Sequence, residues 1–137
     1  MENIDFSGKV EHILTYDRQY PVAAYEFLNT AVKYTIDRIA DAAPRRHIGA
    51  RELLDGMVAY ACEAYGPLAA EVLDSWRVYT AQDVGNMVYN LVREKLFSTN
   101  ENDSPQDFEL AYDLRARLLA PFRQEPEAAV PKAPIIA

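Results

Sequence analysis

Few residues in this 137-residue chain have the types and spacing that chemistry needs. The two histidines, His12 and His47, lie far apart, and neither has a second histidine or a cysteine at ligand spacing, so no metal site is expected. His47 follows Arg45 and Arg46, a trio able to hold an anion, although a solvated basic loop accounts for the same residues. The single cysteine, Cys62, sits between Ala61 and Glu63 with no neighbouring cation to lower its pKa. A buried, inert thiol is expected, and an internal disulfide is excluded. Asp37 and Asp41 stand one helical turn apart, and Glu71 and Asp74 nearly so. Paired carboxylates do acid–base work when one is desolvated, but both pairs fall on polar helix faces. None of the five glycines builds a phosphate-cradling loop. The chain therefore reads as a non-enzyme with no catalytic residues, metal or cofactor.

Tyrosine is the conspicuous residue type, with nine copies. Tyr16, Tyr20, Tyr25, Tyr34, Tyr60 and Tyr65 come from three consecutive predicted helices. A large ring with a polar tip suits interfaces. Tyr20, Tyr25, Tyr60 and Tyr65, with Asp17 and Arg18 between the first two helices, form a candidate interaction surface. The same residues around a small ligand would describe a small enzyme or ligand binder.

The elements that must position these residues are mostly helical. Phe6–Arg18 carries Val10, Ile13 and Leu14 on one face, with Ser7 as the expected N-cap. Pro21 then separates it from Val22–Asp41, where Tyr25, Leu28, Val32, Ile36 and Ile39 recur every three or four residues. Ala42–Ile48 reads as a loop. Arg51–Tyr65 is helical and ends at Gly66; Pro67–Ser75 is a short helix with Leu68, Val72, Leu73 and Trp76 inward. Thr80 and Asp83 can form a capping box for a helix reaching about Lys95. Phe108, Leu110, Tyr112 and Leu114 then alternate with Glu109, Ala111, Asp113 and Arg115, which predicts a strand over 107–112 and a helical turn or two over 113–120. Arg123–Ala137 has small, polar and proline residues without period and reads as a disordered tail, with Ile135 and Ile136 as its possible apolar anchor.

The order helix, Gly-Pro break, short helix, tight turn, longer helix, hairpin is that of a winged helix-turn-helix. The expected fold class is mainly α with a short β-hairpin (α+β): two N-terminal helices packed on a winged-helix-like unit over about 49–120. The whole forms one globular domain over 1–122. Strands at Leu96–Ser98 and Asp107–Leu110 would be the wing. The third helix would offer Gln82, Asn86, Asn90 and Arg93 to a partner, and Gln and Asn can pair with adenine edges. Charge opposes that use. The chain carries 14 basic and 21 acidic residues, net −7, and the stretch 80–107 alone is net −3. Affinity for nucleic acid comes mostly from Lys and Arg neutralising phosphates, so nucleic acid is an unlikely partner on these grounds.

Several stretches together resemble an uncharacterised family of small bacterial proteins seen mainly in planctomycete and verrucomicrobial genomes. They are Asp17-Arg18-Gln19-Tyr20, Ala24-Tyr25-Glu26-Phe27, Gly49–Gly56, Tyr65-Gly66-Pro67-Leu68-Ala69, Trp76-Arg77-Val78, Phe97–Ser104 and Asp107-Phe108. The resemblance spans about residues 10–122. It implies a single domain and brings no activity with it.

Met1–Asp5 is not a basic stretch followed by an apolar run, so no secretory signal is expected. No window approaches the roughly 20 apolar residues of a membrane span, and a cytoplasmic location is the expectation. The sequence as a whole points to a non-enzymatic protein-interaction or adaptor module, with an unknown protein as partner and self-association possible. A DNA-binding transcription regulator is the alternative.

Overall fold

The computed structural model describes residues 2–42, 48–99 and 102–123. Helix α1 spans Glu2–Ile13, α2 Val22–Ala42, α3 Ala50–Tyr65, α4 Ala69–Ser75, α5 Ala81–Arg93 and α6 Leu114–Leu119. Short 3-10 turns occupy Gly66–Leu68, Pro105–Phe108 and Ala120–Phe122. The tail from residue 124 onward and the trio Arg45, Arg46 and His47 lie outside the described residues.

The core is built where the helical periods meet. Leu28 and Ala31 of α2, Leu54, Met57 and Ala61 of α3, and Val84, Met87 and Leu91 of α5 are all buried. Helices α2 and α3 form the most extensive pair. Their approach depends on Gly56, where a Cβ would lie 1.9 Å from Thr35 Oγ1 and 2.8 Å from Thr35 Cβ. Thr35 is itself 3% exposed and spends its hydroxyl on the Ala31 carbonyl. Helix α3 stops at Gly66, whose φ of 59° suits a residue without a side chain and whose N–H reaches the Cys62 carbonyl.

Three expectations are corrected. First, no strand exists among the described residues, so the predicted β-hairpin, and with it the winged-helix unit and the α+β class, is absent. Leu96 and Phe97 are consumed in closing α5: both N–H groups bond to the Leu91 carbonyl, after Lys95 turns the chain at φ 66°. Ser104 and Asp107 then form a capping box that winds Pro105–Phe108 into a 3-10 turn. The alternation of Phe108, Tyr112 and Leu114 is real as burial, but it comes from an unpaired chain crossing the core before α6 begins at its Asp113 cap. Second, Ser7 caps nothing, because α1 already runs through it from Glu2. Third, Leu68 faces outward at 57% exposure, because the 3-10 turn after Gly66 rotates it off the face that α3 established.

Candidate functional site

The two sets of residues singled out in the sequence turn out to meet. Asp17, Tyr20 and Tyr25 come from the α1–α2 connection and the start of α2. Asn86, Asn90 and Arg93 come from the polar face of α5. Tyr20 donates to Asp83 Oδ1 at 2.7 Å and accepts from Asn86 Nδ2 at 3.0 Å. Asn90 Nδ2 donates to Asp17 Oδ2 at 2.9 Å and to the Tyr25 hydroxyl at 3.0 Å, while its Oδ1 accepts from Arg93 at 2.8 Å. Asp83 closes the network from the other end. Its second oxygen accepts from the backbone N–H groups of Tyr79 and Thr80 and from the Thr80 hydroxyl, so one carboxylate both completes the capping box that Thr80 begins and anchors Tyr20.

The inner part of this network is buried, while Asn86 and Arg93 at its outer end are exposed and Asp17 is half-buried. Tyr20 and Tyr25 are each 0% exposed, Asn90 5% and Asp83 9%. Burial, the largest influence on both phenols, raises their pKa values, that of Tyr25 to about 12. Tyr20 and Tyr25 therefore cannot serve as a contact surface, and Asn90 cannot reach a nucleobase. Arg18 turns away to the Leu14 carbonyl, and Gln82 remains exposed beside a small polar depression with Gly85, Asn86, Pro105 and Glu109. Next to the network, Glu94 collects His12 Nδ1 at 2.7 Å and the Tyr16 hydroxyl at 2.9 Å, and Lys9 bonds its carbonyl. Partial desolvation pulls the Glu94 pKa upward, but hydrogen bonds from His12 and Tyr16 and the nearby cations together leave it below the ordinary carboxylate value. These contacts fasten α1 across α5.

Tyr60 and Tyr65 belong elsewhere. They pack with Phe27, Tyr34 and Trp76 in a half-buried aromatic band along α2, α3 and α4, with ring centroids 5.3–6.2 Å apart. Arg38 lies over Tyr34, which donates to Glu63. Of the carboxylate pairs, Asp74 is held by Arg115, consistent with an ordinary surface pair. Cys62 is half-buried against the Leu118 carbonyl, and burial pushes its thiol pKa up. No group of three or more His, Cys, Asp or Glu among the described residues could hold a metal ion, and no described helix is long and apolar enough to cross a membrane.

The feature that the sequence did not reveal is a cleft of about 390 Å³. One wall is α2, with Val32, Lys33 and Ile36; a second is the start of α3, with Ala50 and Leu53. The third is α5 with Val88 and Val92, continued by Leu96, Phe97 and Phe108 from the segment that replaces the hairpin. The walls are mostly hydrocarbon, with Asn29 among them. The lining also includes exposed Lys33, Ser98, Thr99 and Asp107 and half-buried Asp103. Ile36, expected in the core, is 41% exposed because it lies at this open edge. The volume falls in the range of ordinary binding pockets, and a site between helices is a frequent position for one.

Fold and site together describe a helical bundle with a partly buried polar network against α5 and an open cleft between α2, α3 and α5. No family model matches the chain, and neither the curated proteins nor the solved structures supply a match.

Proposed function

We propose that this chain is a non-enzymatic protein-interaction module whose recognition site is the α2–α3–α5 cleft. The observation that carries the reading is the cleft itself: walls that are mostly hydrocarbon, exposed Lys33 and Asp107 among the lining, and an open edge at Ile36. At an interior packing density of about 0.74 its volume holds on the order of 290 Å³ of atoms, roughly two or three Leu- or Phe-sized side chains. That matches the anchors which an amphipathic segment inserts into a groove between helices. A rim with charges of both signs and two hydroxyls offers partners to the polar flanks of such a segment. The occupant is thus a short stretch of another protein bearing two apolar side chains on one face. The network on α5 supports the same reading, since Asn86, Asn90 and Arg93 of the polar face first considered for recognition make hydrogen bonds within the chain.

A displayed library of random 12-residue peptides tests this. Selection on the native protein, with counter-selection on Val92→Glu, should yield peptides that share paired apolar residues and bind at least tenfold more weakly to the variant. Peptides that bind both proteins equally, or enrichment of none while small apolar molecules bind, would refute a protein partner at the cleft.

A further inference from the structure

We infer that Phe108, seated on the bare face of Gly85, sets the length of the cleft and so selects which apolar group it accepts; this rests on the cleft being the recognition site. Phe108 lines the cleft on one side. On its other side it lines a separate depression of about 290 Å³ with Thr80, Ala81, Gln82, Glu109, Leu110 and Tyr112. It is 5% exposed and is the residue common to the two linings.

The position of Phe108 is fixed by a missing atom. A Cβ on Gly85 would stand 2.7 Å from both Cβ and Cγ of Phe108 and 3.0 Å from Cδ2. These are root atoms of the side chain, and no rotation about χ1 moves the Phe108 Cβ aside. Only glycine lets Phe108 settle this low on α5. The segment carrying Phe108 is held there independently by the Ser104–Asp107 capping box, and the 3-10 turn packs chiefly on α5. The sequence carries a trace of the arrangement: Gly85 interrupts an otherwise well-formed helix, at a cost that a close approach explains. A side chain added at 85 would lift Phe108 toward the larger open space it borders, which is the cleft. A smaller side chain at 108 would instead join cleft and depression.

Unbranched 1-alkanols from butanol to dodecanol, titrated onto the full chain by isothermal calorimetry, read the length directly and carry no charge for the rim to select. Affinity for the native protein should rise roughly fourfold per methylene and then level off at one chain length. In Phe108→Leu the break should move to longer alkanols by two or more carbons, and in Gly85→Ala to shorter ones. Circular dichroism and thermal unfolding identify variants that have lost the fold; Phe108→Met replaces Phe108→Leu if that one has. A break that stays at the native length in folded variants of both positions overturns this inference and leaves the cleft reading standing. Failure of every alkanol to bind the native protein overturns the cleft reading itself.

Discussion

Substituting Gly56 by alanine should destabilise the protein, against the usual direction for a helix interior. Alanine ordinarily gains about 1 kcal/mol over glycine there. At Gly56 the new Cβ would lie 1.9 Å from Thr35 Oγ1 and 2.8 Å from both Cβ and Cγ2. Ordinary contact begins near 3.4 Å, so α2 and α3 would have to part by on the order of 1.5 Å. Rotating Thr35 about χ1 moves Oγ1 aside but leaves its Cβ overlapping by about 0.6 Å, so the helices must still part. Overpacking of this kind costs about 1–3 kcal/mol, and more when the neighbours are rigid. With alanine's helix advantage of about 1 kcal/mol set against the upper part of that range, a net loss of about 1–2 kcal/mol is expected in urea unfolding. Thr35→Ala removes Oγ1 and Cγ2 but keeps Cβ, so the double variant should recover part of the loss. The two sites should then couple by about 1 kcal/mol in a double-mutant cycle. A Gly56→Ala protein as stable as the native one, or a cycle additive within about 0.5 kcal/mol, would refute the reasoning. The same parting of helices would widen the cleft, which lies about one turn along the same interface at Val32 and Leu53.

Asp83→Ala should cost about 2–4 kcal/mol in chemical unfolding, because it removes the carboxylate half of the α5 capping box and strands the buried Tyr20 hydroxyl. Asp83→Asn should cost less, since Oδ1 can still accept. Glu94 has a folded pKa below its ordinary value, so its contribution to stability is present above about pH 4.5 and is lost as the pH falls through the lowered folded value. Glu94→Gln should therefore flatten the acid limb of a stability–pH profile. Burial raises the phenol pKa values of Tyr20, Tyr25 and Tyr112. Their contribution is present below about pH 10 and lost as the pH rises through the folded values. Absorbance titration should show these three of the nine tyrosines ionising only together with alkaline unfolding.

Much of the helical architecture could be read from residue spacing. The stripe from Tyr25 to Ile39 gave α2, Gly66-Pro67 marked the end of α3, and Thr80 with Asp83 forecast the cap that α5 carries. The hairpin failed because alternation reports burial, whereas a strand also needs a partner edge, and Leu96 and Phe97 spend their N–H groups on Leu91. The tyrosines misled for a related reason. A phenol suits an interface and a buried hydrogen bond equally, and nothing local told that Asn86 and Asn90, over sixty residues away, would supply the donors for Tyr20 and Tyr25, and Asp83 the acceptor for Tyr20. The cleft was hidden because Val88 and Val92 fit an inward stripe whether the facing space is filled or open. The traces that did exist were Gly56 and Gly85, glycines inside helices at the two closest approaches.

The central claim is that recognition occurs in the α2–α3–α5 cleft, while Asn86, Asn90 and Arg93 on the polar face of α5 are engaged within the fold. Backbone amide chemical shifts of the labelled protein, recorded with and without a selected peptide, test it most directly. The account predicts the largest changes at Val32, Ile36, Leu53, Val88, Val92 and Leu96, with the amides of Tyr20, Asn86 and Asn90 nearly still. Largest changes at Tyr20, Asn86, Asn90 and Arg93, with the cleft residues unmoved, would contradict it.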